Sequence, residues 1–180
     1  MPVFENKPNH SVKTEDGKEI WVSRSLSVVV TTLLRKDNEL YVLLLQRGDS
    51  VHAAGKWCMP CGYLDWDETA PQCALREVWE ETGMDILSIP ADDIEYWGLT
   101  QPWDVNSNPS MNDNQDIALH YAIIINSSEF LELNSLNAEE NEVLDLKWVK
   151  LSDFMLYDIA FKHNERVHKF LEYYGEIKIK

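Results

Sequence analysis

The sequence predicts an α/β domain. Three observations carry that prediction: an early Val- and Thr-rich hairpin pattern, one strongly capped central helix, and three later strand-like runs before an amphipathic C-terminal segment. With 180 residues, 44% of them hydrophobic and 26% charged, the chain can bury one core without help from disulfides. A loose polar arm over residues 1–18 and a single domain over 19–180 form the expected organisation.

Within that domain, Glu19-Ile-Trp-Val22 reads as a short strand and Leu26 to Leu34 as a longer one. Arg35 to Glu39 reads as a turn, with Leu40 to Gln46 as the hairpin partner, and Trp57 to Met59 as another short strand before Pro60. The central helix starts at Thr69, where Gln72 three residues on completes a capping box, and it stops at Gly83. Ile94 to Gln101, Ile117 to Ile125 and Val143 to Val149 follow as strands, the middle one apolar enough to lie inside the sheet. Trp103 to Gln115 reads as a long polar loop, and Tyr157 to Tyr174 as an amphipathic helix ending at Gly175.

The central helix carries an electrostatic conflict. At about 100° per residue, Glu77, Glu80 and Glu81 share an arc with the short side chains of Ala70, Cys73 and Ala74. Like charges at these spacings repel by a few tenths of a kcal/mol per pair, and Glu80 and Glu81 also face the negative end of the helix dipole. A solvated acidic face is the plain reading of such a cluster. Bound divalent cations would remove the conflict, because clustered carboxylates are hard oxygen ligands suited to Mg²⁺ or Mn²⁺.

Gly62, Glu68, Arg76-Glu77-Val78, Glu80-Glu81 and Gly83-Met84 stand at the spacing GX5EX7REUXEEXGU, with all seven fixed identities present. The stretch resembles the Nudix box, Met84 being a looser choice for its last aliphatic position. Leu43-Leu-Leu-Gln-Arg47, Gly55-Lys-Trp57 and Glu142 to Leu151 are similar to flanking parts of the same family. The resemblance implies an α/β/α sandwich with a mixed β-sheet between helices. It also implies attack of water on phosphorus in a nucleoside diphosphate linked to a moiety X, with Mg²⁺ or Mn²⁺ as cofactor.

Carried onto this chain, the resemblance makes Glu77, Glu80 and Glu81 metal ligands and the Gly62 carbonyl a further one. Arg76 becomes support, aiming a carboxylate such as Glu68 or Glu77. Arg47 would meet substrate phosphate; a surface arginine is the competing reading. The general base lies outside the box, with Glu142 the best positional match and Glu139 and Glu140 as alternatives. Trp103, with Tyr96, Trp97 and Tyr121, offers stacking for a base or simply core. Gln101-Pro-Trp103 echoes the array of the NADH-cleaving branch, which Asp104-Val-Asn does not continue. X is left open among a sugar as in ADP-ribose, a nucleoside triphosphate and a dinucleotide.

Cys61 departs from the family, which has Gly before the box, and this puts the local loop geometry in question. Cys58-Met-Pro-Cys61 lacks the second pair of a zinc site and leads into a turn where an oxidoreductase motif opens a helix. Cys58, Cys61 and Cys73 therefore read as buried structural thiols. A net charge of −15 disfavours non-specific nucleic-acid and membrane binding, so a phosphorylated small molecule needs a cation as mediator. No bilayer-length apolar run and no leader pattern stand in the sequence, which reads as cytoplasmic; the resemblance also allows a homodimer. Two rivals are an isopentenyl-diphosphate isomerase of the same fold and a non-catalytic nucleotide-sensing module. Neither is favoured by an intact set of acids.

Overall fold

The computed structural model describes residues 10–22, 25–108, 116–135 and 141–179. Its first strands, β1 (His10–Lys13) and β2 (Glu19–Val22), pair with each other as a separate two-stranded sheet. The arm expected over residues 1–18 is thus structured from His10 onward. The reason is a local turn, in which Thr14 N–H reaches the Lys18 carbonyl at 2.8 Å and Gly17 takes a φ of 82°.

Among the described residues the main sheet is eight-stranded. It contains β3 (Leu26–Lys36), β4 (Glu39–Arg47), β5 (Trp57–Cys58), β6 (Cys61–Tyr63), β7 (Ile94–Gly98), β8 (Asp104–Asn106), β9 (Ile117–Asn126) and β10 (Val143–Lys150). Its spine runs β10-β4-β3-β9-β7, with β5 on β4, β6 on β3 and β8 on β9. Only β3 and β9 among these pairs run parallel, so the sheet is mixed as expected. The β3–β4 turn is shorter than the sequence suggested. Asp37 and Asn38 both adopt positive φ, the conformation a two-residue hairpin with native twist requires and that Asp and Asn tolerate.

Alternation along the strands divides the interior into two layers. Val28, Val30, Leu43, Tyr121, Ile123 and Ile125 pack with Cys73, Ala74 and Val78 of α1 (Ala70–Thr82). Val29, Leu33, Val42, Leu44, Ala122 and Ile124 pack with Val167, Phe170 and Tyr174 of α2 (His163–Ile179). This is the α/β/α sandwich. Helix α2 departs from the sequence reading at both ends: Phe161 and Lys162 take positive φ and delay its start, and it continues through Gly175. The polar loop after Trp103 contributes β8, while residues 109–115 of that loop lie outside the described residues. Among the described residues, no helix is long and apolar enough to cross a membrane.

Candidate active site

The site is built on α1. The Thr69 hydroxyl accepts from Gln72 N–H, the Gln72 side chain accepts from Thr69 N–H at 2.9 Å, and Gly83 closes the helix at φ 70°. Between these caps the helix buries Cys73, Ala74 and Val78. The face carrying the acids thereby turns towards β6, where Gly62 pairs with Val28.

Arg76 organises the charges. Its Nε and Nη2 donate to the two oxygens of Glu68 at 2.9 and 3.0 Å, and its Nη1 donates to both Glu77 and Glu80 at 2.8 Å. Nη2 also donates to the Tyr63 carbonyl at 3.0 Å, tying the loop between Gly62 and Glu68 to the helix. The sequence anticipated Glu68 or Glu77 as partner. The structure joins both and adds Glu80, so one guanidinium hydrogen-bonds three carboxylates, with Asp65 a more distant fourth at 3.9 Å.

Burial sets Glu77 and Glu81 apart from the other acids. Burial pushes the Glu77 carboxyl up to about 7, with Arg76 pulling it back. Burial also holds Glu81 well above the carboxylate range, helped by the nearby Cys61 and Glu77. Glu81 is 3% exposed, and its Oε2 accepts the Cys61 backbone N–H at 2.9 Å. A Cβ on Gly62 would overlap the Glu77 carboxylate where it now lies, so glycine lets that carboxylate rest against β6. Cys61 has no positive φ and sits as an ordinary residue of β6, so its departure from Gly brings no backbone strain there.

Glu142 lies within electrostatic reach of this group, raising Glu77 and Glu81 less than burial and the other neighbouring charges do. It is brought there by the hydrogen bond from Gly48 N–H to the Glu142 carbonyl, 2.7 Å. Glu139 and Glu140 lie outside the described residues. Arg47 is electrostatically coupled to Glu81, but its guanidinium is engaged locally. Nε donates to the His52 carbonyl at 2.6 Å, Nη1 reaches Cys58 Sγ at 3.6 Å, and the Phe161 ring lies 4.9 Å away.

The aromatic candidates are not assembled around the acids. Trp103 packs beside Phe170 and Tyr173 of α2, Tyr96 packs on Phe170 and Tyr174, and Tyr121 is buried in the α1 layer. Trp97 is partly exposed on β7. Sequence reasoning passed over Trp66, which lies between Gly62 and Glu68 and is 96% exposed. It also missed the Cys61 N–H donor, because a backbone group leaves no mark in a side-chain pattern.

The donors fit a hard divalent cation in kind: the carboxylates of Glu77 and Glu81, both destabilised chiefly by burial, with the Glu80 carboxylate on the same helix and a glycine alongside that leaves room. Among the described residues, no three His, Cys, Asp or Glu side chains converge as a metal cluster, and Arg76 Nη1 bridges Glu77 and Glu80.

The family model described as the NUDIX domain matches residues 23–171. The chain belongs to the Nudix hydrolase family. Similar proteins include the NAD-capped RNA hydrolase NudC of Vibrio atlanticus, 37% identical over 46% of this chain and 27% of that protein. Nudix hydrolase 3 of Caenorhabditis elegans is 29% identical over 66% of this chain and 50% of its own length. The chain therefore spans half or less of the length of these two relatives. The Nudix domain of Shewanella oneidensis NrtR, solved with ADP ribose, superposes with a TM-score of 0.66 at 25% identity, covering 84% of this chain and 88% of that one.

Proposed function

We propose that this Nudix domain is a divalent-cation-dependent pyrophosphohydrolase that cleaves a nucleoside diphosphate linked to a moiety X by attack of water on phosphorus. The observation that carries the reading is the Arg76 hub, which holds Glu68, Glu77 and Glu80 together beside buried Glu81 and the Gly62 cradle. Surface charge alone does not call for such an arrangement, since two carboxylates are buried against their electrostatic preference.

In this reading Glu77, Glu80, Glu81 and the Gly62 carbonyl hold Mg²⁺ or Mn²⁺. A bound ion neutralises phosphate charge and lowers the pKa of water towards neutrality. Arg76 positions the carboxylates through its hydrogen bonds to Glu68, Glu77 and Glu80. Glu142, within electrostatic reach of the same acids, serves as general base or further ligand. Arg47 exchanges its contact with the His52 carbonyl for a substrate phosphate. Trp103, packed against Phe170 and Tyr173 in the α2 layer, has no part in this reading. The substrate class is a small nucleoside diphosphate derivative, with ADP-ribose, nucleoside triphosphates and dinucleotides as first candidates; ADP ribose is supported by the NrtR domain's ligand.

The test is phosphate or nucleotide release from a panel of these compounds with Mg²⁺, Mn²⁺ or EDTA. Turnover is expected with either metal, to vanish with EDTA, and to fall by about 100-fold or more in Glu80→Gln and Glu81→Gln. Tight nucleotide binding without turnover under any metal would instead identify a sensing module.

A further inference from the structure

We infer that His163, the first residue of α2, is a positioning residue for the acidic site and acts through the backbone of residues 59–61. Its Nδ1 accepts the Met59 N–H at 3.1 Å, and both partners are buried, His163 at 2% exposure and Met59 at 0%. The bond joins residues 104 apart in the chain and ties the opening of α2 to the link between β5 and β6. Phe161 and Lys162, in left-handed backbone, delay the helix start to this residue. The Trp57 N–H, bonded to the Asp158 carbonyl at 2.9 Å, holds the preceding segment along β5. An imidazole that accepts at Nδ1 is neutral and carries its proton on Nε2. Burial, with His120, Arg47 and Arg166 nearby, lowers His163 to about 3, so the accepting form is the one present at neutral pH.

Each residue after Met59 carries the constraint a step further. The Pro60 carbonyl accepts the Val30 N–H at 2.9 Å, the Cys61 N–H donates to Glu81 Oε2 at 2.9 Å, and Gly62 lies against the Glu77 carboxylate. The chain from Met59 to Gly62 thus runs from the α2 layer to the acids on α1, held at every residue. Pro60 fixes its own φ, which leaves the segment little freedom to absorb a shift of Met59. Without the His163 acceptor, a buried N–H loses its partner and Met59 must move to find another. That movement draws the Cys61 N–H away from Glu81, whose 3% exposure leaves little solvent to replace it. In the hydrolase reading, on which the effect on turnover rests, Glu81 holds the cation, and groups that aim a ligand typically change metal affinity or activity by about 10- to 100-fold.

Two substitutions separate this role from simple filling of space. His163→Asn puts an amide oxygen where Nδ1 stands, although the side chain is much smaller than histidine. His163→Gln is nearer to histidine in volume but carries its amide group out to the level of Nε2. An acceptor role therefore ranks Asn above Gln, and a packing role ranks Gln above Asn.

The test uses the full chain, free of metal, and follows amide hydrogen exchange by nuclear magnetic resonance. Exchange at Met59 and Cys61 should be about 10-fold or more faster in His163→Gln and within about 3-fold of wild type in His163→Asn, with the core amides of Leu44 and Ile124 unchanged. Wild type itself should show a scalar coupling across the hydrogen bond between the Met59 amide nitrogen and His163 Nδ1, a measurement that needs no variant to fold. With the metal restored, the Mn²⁺ concentration for half-maximal turnover should rise by about 10-fold in His163→Gln and stay near wild type in His163→Asn, the KM for nucleotide being unchanged. No coupling in wild type, equal exchange in the two variants, or slower exchange in Gln than in Asn would overturn the tether. Faster exchange in His163→Gln with an unchanged Mn²⁺ requirement would overturn the positioning of Glu81. The expected exchange pattern in a protein that never turns over substrate would count against the hydrolase reading alone.

Discussion

At the scale of single residues, the most consequential side chain is Arg76, because one planar guanidinium reconciles acids that the helix alone would keep apart. The spacing of the box made Arg76 and its acids legible in the sequence. What it did not reveal was the third carboxylate, since Glu80 is as compatible with solvent as with Arg76 until the helix is placed against its loop. A second residue bears a pH prediction. Burial, reinforced by Arg166, lowers His120 to about 4, so the neutral ring is the form the fold accepts. Its native pKa lies below its unfolded value, so its contribution is intact above the ordinary histidine range and is lost as acid protonates the unfolded chain first. Wild type should therefore lose more unfolding free energy than His120→Leu between about pH 7.5 and about pH 5. The difference should approach about 2 kcal/mol in urea titrations, and parallel pH curves would refute it.

Among the elements, α1 was the most readable because its ends are set by local chemistry. The cap predicted at Thr69 and the stop at Gly83 both occur. Thr69→Ala should destabilise the domain by about 1 kcal/mol in chemical denaturation, and Thr69→Ser should restore most of the loss. An unchanged midpoint would mean that tertiary packing alone fixes the helix start. The contrast is α2, whose apolar spacing begins before the helix does. Phe161 and Lys162 occupy left-handed backbone positions, a choice made by the tether of Trp57 N–H to the Asp158 carbonyl at 2.9 Å and by packing, not by propensity. Gly175 shows the reverse limit: glycine permits a stop without enforcing one.

Viewed as a whole molecule, the chain divides its apolar residues between the two faces of one sheet, and strand alternation made that division readable. Strand order was not readable in the same way. The parallel pairing of β3 with β9 joins segments separated by many residues and several elements, and no local pattern encodes it. The small sheet of β1 and β2 stands apart from this architecture, with Val12 and Ile20 45% and 49% exposed. Removing residues 1–22 should leave a cooperative unfolding transition and change stability by less than about 0.5 kcal/mol, as read by urea denaturation. A larger loss would show that the hairpin is an integral part of the fold.

The contact at Gly48 has a mechanical corollary. Its N–H meets the Glu142 carbonyl at 2.7 Å, a Cβ there would overlap the Asn141 carbonyl, and Val143 is registered opposite Arg47. With no clearance at that rivet, the strand end bearing a cation and the strand start bearing an anion travel as one piece. Breathing of the sheet margin would carry Arg47 and Glu142 in step, preserving the gap between them while the distance of both from the helix varies.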